Sequence, residues 1–323
     1  MAKLLARRAL QGVVIVWLVA TLTFLLLALA PGDAVDAAYG DSRVPQEVRD
    51  HLRTEFCLDR NIAGRYVCWI GSVAHGNLGW SIRYSRPVAD VLADAVPNTL
   101  VLMFCAITLT FVLGVGAGVV QARRPGGAVD RGVGAVALFL YALPDFWFAL
   151  MAMFVIAYQL HLLPYVGMTN SALYPTYGFW EKVGDRIAHL ILPAGTLALV
   201  AAAGISRYQR AAMLDAMSQD YVRTARAKGV DEGRILRHHV FRNALLPVIT
   251  LIGLWLPALL GGAVIIERIF SWPGIGSLAA NGVATRDAPL VLAITVLSSV
   301  LVVLGSLLAD LLYAVADPRV RVE

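Results

Sequence analysis

Charge is scarce in this chain. Asp, Glu, Lys and Arg make up only 15% of its 323 residues, where a soluble globular protein carries about 25%. Cysteine is scarcer still, and three residues cannot build a disulfide framework. There is no Gly-x-x-x-x-Gly-Lys-Ser/Thr loop to cradle a nucleotide. There is also no His-Glu-x-x-His and no Gly-x-Ser-x-Gly, so neither a metalloprotease nor a serine hydrolase is written here. The abundant material is apolar: 59% of residues are hydrophobic and mean hydropathy is +0.69. One soluble core cannot bury that excess, so lipid must be part of the solvent. Disordered and collagen-like classes are excluded on the same ground. The net charge of +5 fits basic cytoplasmic loops better than nucleic-acid binding.

A spanning helix needs about 20 apolar residues. Six windows qualify: Ala9 to Gly32, Ala95 to Ala122, Gly132 to Leu160, Ile187 to Ser206, Asn243 to Ile266, and Ala288 to Ala309. The third is interrupted by Asp145, and Asp310 falls in the last turns of the sixth. Lipid cannot satisfy backbone polar groups, so each window is predicted helical and the protein all-α. Pro193, Pro247 and Pro257 lie in or near the later spans and predict kinks or helix ends. The first window follows Lys3, Arg7 and Arg8 as a secretion signal would, but its apolar run is too long for a signal core. It is read as a retained helix. With the N-terminus inside, the inner segments hold 16 of the 27 Lys and Arg residues. Both termini are therefore expected in the cytoplasm.

The predicted organisation is residues 1–30 as N-terminal segment and first span, 31–94 as an extracytoplasmic cap loop, 95–316 as a five-span core with an inner loop at 207–243, and 317–323 as a cytoplasmic tail. In the cap loop, Pro31-Gly32-Asp33 is a turn signal and Pro45-Gln46-Glu47-Val48 a helix start. The run His75 to Ser81 is a glycine-punctuated loop. Cys57 and Cys68 share this loop. An oxidising exterior would permit a bridge between them, whereas a helix between them could hold them apart. Cys105 reads as a packing residue.

The inner loop is the most informative stretch. Asp220-Tyr221-Val222-Arg223-Thr224-Ala225-Arg226-Ala227-Lys228 is rich in Ala and Arg and predicts a helix, which Gly229 ends. A second basic segment, Arg234 to Arg242, leads into the fifth span. The result is a helix–turn–helix on the inner face, suited to a cleft on a cytosolic partner. Attraction to anionic lipid is the competing reading. His238 and His239 diverge on a helix and have no companion ligands, so no metal site is expected.

The stretch from Asp220 to Pro247 resembles the coupling loop of ABC-transporter permeases. Arg223-Thr224-Ala225 stands where a Glu-Ala-Ala start is usual, and Gly229 sits where expected. The Arg242-Asn243-Ala244-Leu245-Leu246-Pro247 ending is similar to the peptide-transport branch. So are Glu267-Arg268-Ile269-Phe270-Ser271-Trp272-Pro273-Gly274-Ile275-Gly276, Asp310-Leu311-Leu312-Tyr313 and Asp317-Pro318-Arg319-Val320-Arg321. Ala6-Arg7-Arg8 and Pro31-Gly32-Asp33 fit as well, although Ala34 stands where Pro is common. The resemblance covers the whole chain and points to the B-type permease of dipeptide and oligopeptide importers. It implies the type I ABC importer permease fold, with six transmembrane helices and cytoplasmic coupling helices, in the bacterial inner membrane. It implies a C-type permease, two ATPase subunits or domains and an extracytoplasmic substrate-binding protein as partners, with peptide as cargo. It implies no cofactor on this chain, because ATP and Mg sit on the ATPases.

Within that frame Asp220, Arg223, Thr224, Ala225, Arg226 and Gly229 are the ATPase-coupling candidates. Arginine forks hold carboxylates, a small Ala allows close approach, and Gly allows the turn. Asp145 is a candidate for the pathway or for a broken helix, since intramembrane carboxylates default to function. Glu267, Trp272 and Pro273 are candidates for an outer gate, with Trp272 equally readable as an interfacial anchor. Asp310, Asp317 and Arg319 read as structural. Nickel complexes or glutathione are alternative cargoes. An intramembrane enzyme or a secondary transporter is the rival class, disfavoured by the missing motifs and the absence of a clear internal repeat.

Overall fold

The computed structural model describes residues 2–29, 57 and 59–316. The chain begins with helix α1 (Ala2–Leu29) and, further on, α2 (Ile62–Ala74). A two-residue antiparallel hairpin follows, β1 (Trp80–Ser81) and β2 (Arg86–Pro87), with Trp80 opposite Pro87. Then come α3 (Val88–Arg123), α4 (Ala128–Ala142) and α5 (Asp145–Ala152), which runs on as π-turns through Gln159. Next are α6 (Phe179–Ser218), α7 (Asp220–Ala227) and the single turn α8 (Glu232–Arg234). A π-helical stretch, Ile235–Phe241, joins α8 to α9 (Arg242–Ile269), and α10 (Ile275–Ala284) and α11 (Ala288–Ala316) complete the fold.

Within the described residues, the apolar windows fall on helix apart from a break in the third. Among the described residues four helices are long and apolar enough to cross a membrane, or five if α4 and α5 make one bent span. The fifth window lies on α9. Two expectations need correction. The third window is not one helix: α4 and α5 meet at 106°. The break falls at Leu143-Pro144, where Pro144 is extended (ψ 132°) and has no N–H to give. Conversely, the helices continue past Pro193, Pro247 and Pro257, so none of those prolines ends a helix. The turn at Pro31, the helix start at Pro45, and Asp317 and Arg319 lie outside the described residues.

The 40 residues of α6 measure about 60 Å, and a bilayer core is about 30 Å thick.

The chain divides into two compact units, with the divisions falling inside α3, between α9 and α10, and inside α11. The first comprises residues 1–99 and 273–304. Its core joins Val88, Val91, Leu92 and Ala95 of α3 to Ile275 of α10 and to Leu290, Ala293 and Ile294 of α11. Helix α2 lies on α1 through rings: Phe24 meets Tyr66 at 5.2 Å and Trp69 at 5.5 Å. Asn61 caps α2 by accepting from the Gly64 amide at 2.8 Å.

The second unit comprises residues 100–272 and 305–323 and is organised around α6. A run of small residues, Ala201 to Gly204, lets neighbouring backbones come close. Helix α3 uses that space at two glycines one turn apart. A Cβ on Gly114 would stand 2.7 Å from Ile205 Cβ, and one on Gly118 would stand 2.6 Å from Gln209 Cβ. These are small-xxx-small seams, which replace the hydrophobic drive that lipid removes. One core cluster gathers Leu102, Met103, Ala149, Leu192, Ile266, Phe270 and Trp272. Another gathers Ala122, Met213, Val222, Ala225, Ile235 and Val240.

Candidate functional site

Helix α6 ends at Ser218 because Gln219 turns extended (ψ 151°). The chain then re-enters helix at Asp220. Over eight residues α7 shows two faces. Val222 and Ala225, three apart, are buried against Met213, Ala216, Ile235, Val240 and Ala244. Asp220, Tyr221, Arg223, Thr224, Arg226 and Ala227 are exposed. Thr224 Oγ1 donates to the Asp220 carbonyl at 2.9 Å, and Arg223 reaches the Asp220 carboxylate at 3.4 Å. That pair is almost fully solvated and contributes little to stability.

The turn after α7 is closed three times over. The Lys228 amide donates to Thr224 O, the Gly229 amide to Arg226 O, and the Val230 amide to Ala225 O, at 3.1, 2.9 and 3.2 Å. Gly229 sits at φ +73°, which favours glycine, and its missing Cβ would meet nothing. Asp231 starts the next turn by accepting from the Arg234 amide at 3.2 Å. Across the turn, Arg226 Nε donates to Glu232 Oε2 at 3.1 Å and its terminal nitrogen to Oε1 at 2.6 Å. This fork holds the Glu232 carboxyl below its usual range and raises the guanidinium's pKa.

The coupling candidates therefore separate. Arg223, Thr224 and Asp220 lie together on the exposed face. Ala225 does not: it faces the chain's own core, because the i, i+3 spacing pairs it with Val222. Its small size lets α7 sit close to the helices beneath. Arg226 is exposed, but its fork is spent within the chain on Glu232. The sequence reading did not single out Glu232, although its position three residues beyond Gly229, as Arg226 is three before, was a visible signal.

The gate candidates divide likewise. Glu267, near the end of α9, is fully buried, and its carbonyl accepts from the Trp272 amide at 2.7 Å. Trp272 is 1% exposed and belongs to the core cluster, so it is no membrane-surface anchor. In the other unit the Pro273 carbonyl accepts from Asn98 Nδ2 at 2.9 Å. Asp145 opens α5 just past the break, where a carboxylate suits the positive end of a helix. Asp310 is half-buried on α11. Cys57 and Cys68 are joined in a disulfide, with Cα atoms 6.7 Å apart.

Two polar anchors escaped the sequence reading. Asp130, in the first turn of α4, takes a bidentate fork from Arg210 of α6 at 2.7 Å on both oxygens, and also accepts from the Gly126 amide at 2.8 Å. Asp287 is 1% exposed. One oxygen accepts from Ser81 Oγ at 2.6 Å and from the Arg83 amide at 3.0 Å, while the other accepts from Leu290 N at 3.3 Å. Asp287 thus caps α11 and pins the hairpin onto it. Asp followed by Ala-Pro is a helix-start signal, whereas nothing local announces a pair 80 residues apart. Beside the hairpin in the same unit, Phe24, Arg65, Trp69, Trp80 and Pro289 line a cavity of about 340 Å³.

Residues 111–322, which include the helix–turn–helix, match the family described as the binding-protein-dependent transport system inner membrane component. The chain belongs to that family. Residues 1–103 match the N-terminal component of such membrane proteins. The oligopeptide transport system permease protein AppB of Bacillus subtilis is 40% identical over 99% of this chain and all of its own length. The oligopeptide transport system permease protein OppB of Mycobacterium tuberculosis is 39% identical over the full length of both. Among solved structures, a chain from inward-facing forms of the MetNI methionine ABC transporter superposes with a TM-score of 0.56. It is 19% identical and covers 70% of this chain and 96% of its own. The fold is accordingly that of a type I ABC importer permease. The protein is a non-catalytic, multi-pass permease subunit of an inner-membrane ABC importer, a system that works with ATPase and substrate-binding partners.

Proposed function

We propose that this chain is one of two permease subunits of an ATP-driven peptide importer, paired with a C-type relative and two ATPase subunits or domains. Both termini face the cytoplasm, six helices cross the membrane, and ATP and Mg bind only on the ATPases. The observation that carries the reading is α7: a solvent-exposed amphipathic helix fastened by Val222 and Ala225 to the end of the 60-Å α6, with Arg223 and Thr224 turned outward. A push on its exposed face is delivered through those two side chains to α6 and α9 as rigid-body motion. The peptide cargo follows from what the full-length relatives transport by name. Asp145, Glu267, Trp272 and Pro273 contribute to the pathway and outer gate: Glu267 and Trp272 by fixing the turn after α9, and Asp145 by stabilising the helix break.

The test is ATP-driven uptake of labelled peptide into proteoliposomes holding this chain with its ATPase and permease partners and the binding protein. Uptake is expected for the wild type and lost when Arg223 and Thr224 are both replaced by Asp, together with co-purification of the ATPase. Uptake by this chain alone, or indifference to those changes, would overturn the coupling role in favour of a secondary transporter. Nickel-complex or glutathione uptake with no peptide uptake would reassign the cargo.

A further inference from the structure

Helix α3 leaves one side of the second unit open. Val112, Val115 and Val119 line a groove of about 610 Å³ whose far wall is Leu236 and Phe241 of the π-helical stretch. Gly116 lies on its floor, and a Cβ there would meet nothing within 4 Å. From Phe111 to Arg123 the groove follows α3 for about 18 Å, close to one leaflet's share of a hydrocarbon core about 30 Å thick. One end is different. Arg123, the last residue of α3, and Arg237, on the π-helical stretch, are its only charged lining, and both are exposed. No hydrogen bond or ion pair engages either guanidinium among the described residues. The π-turns hold Leu236, Arg237 and Phe241 on the groove side, and such widened turns are frequent at functional sites.

We propose that this groove binds one anionic glycerophospholipid of the cytoplasmic leaflet. An acyl chain lies along the valines, and the phosphate sits between Arg123 and Arg237. The assignment rests on the orientation proposed above, which puts the C-terminal end of α3 at the inner surface. The charge distribution selects the occupant: a helix from a partner subunit would need polar or acidic groups only at its tip, whereas a lipid has this polarity by construction. Basic pockets between membrane helices on the cytoplasmic side are the setting in which such headgroups bind. A lipid held here touches both α3 and the stretch that joins the coupling turn to α9. Its presence therefore stiffens the path from α7 into the membrane.

The experiment uses the assembled importer in nanodiscs of equal phosphatidylglycerol and phosphatidylcholine, with retained lipid counted by native mass spectrometry. The wild type is expected to retain phosphatidylglycerol selectively. Replacing Arg123 and Arg237 together by Gln should weaken retention by roughly twenty-five-fold, at about a fivefold loss for each arginine. Gly116→Leu, whose Cβ meets nothing and whose side chain takes up space in the groove, should weaken it strongly. Arg124→Gln, one residue outside the lining, should leave it intact, and Arg123→Lys with Arg237→Lys should largely retain it. Undiminished phosphatidylglycerol in the double variant and in Gly116→Leu would overturn the proposal. So would loss of the second permease subunit from Gly116→Leu with lipid unchanged, since the groove would then be a subunit interface. If no ATPase assembles with the wild-type chain, the importer reading fails by itself, and the lipid count on the isolated chain still reports on the groove.

Discussion

The hairpin beside α11 and the helix α7 are both short elements set on long helices, and they are fastened by opposite means. The hairpin is held by one buried carboxylate, Asp287, that collects three donors, while a disulfide ties Cys57 to the middle of the neighbouring α2. Helix α7 is held by two small apolar side chains and an exposed arginine fork. A buried charge with all its donors in place is costly to disturb, because every partner is orphaned together. Apolar contact and a solvated fork give way gradually and re-form without penalty. The first construction suits a fixed platform, and the second a part that must receive force and return.

The comparison can be broken at its strongest point first. Asp287→Ala should cost about 3 kcal/mol, because the Ser81 hydroxyl and the Arg83 and Leu290 amides lose their acceptor in a dry site. The check is thermal unfolding in detergent together with protease cutting at residues 80–87, which should appear only in the variant. Reduction of Cys57–Cys68 should remove about 2 kcal/mol, in line with the short loop it closes. Limited proteolysis with and without reductant reads this, and α2 should become the first region cut. On the other side, Gly229→Ala should cost about 1 kcal/mol, since φ +73° strains any residue with a Cβ while nothing nearby obstructs it. Hydrogen exchange should then rise at residues 228–230 and leave the hairpin untouched.

The smallest effect belongs to the fork. Glu232→Gln should cost under about 1 kcal/mol, because both side chains are half exposed. Its pH dependence has a definite sign. The Glu232 pKa is lowered by Arg226, so the contribution is fully present above the ordinary glutamate value of about 4.3 and fades as pH falls through the lowered one. Protection of the turn amides, corrected for the intrinsic pH dependence of exchange, should therefore be flat from pH 6 to 8 and fall only in acid, and Glu232→Gln should remove that fall. High salt should weaken the fork and leave the buried Asp287 site unaffected.

Much of this was legible in the residues. The apolar windows gave helices because a membrane-spanning segment without internal hydrogen bonding is excluded in lipid. The loop at 220–229 read as helix then stop because Ala, Arg and Gly have those preferences locally. Composition and motif together led to the family, and the absent nucleotide loop to a subunit that leaves hydrolysis to others. The rest required the folded chain. Whether α4 and α5 would be one helix depended on how Pro144 could be accommodated, and the 106° break is the answer. The prolines that do not interrupt α6 and α9 carry the same residue type and meet a different fate. Ala225 looked suited to an intermolecular contact until the register of α7 on the core turned it inward. Asp130 with Arg210, and Ser81 with Asp287, lie 80 and 206 residues apart. Local sequence fixes which backbone states are cheap, because those energies depend on neighbours along the chain. Which polar groups meet, and which face of a helix is left for a partner, depends on atoms brought together only by the fold.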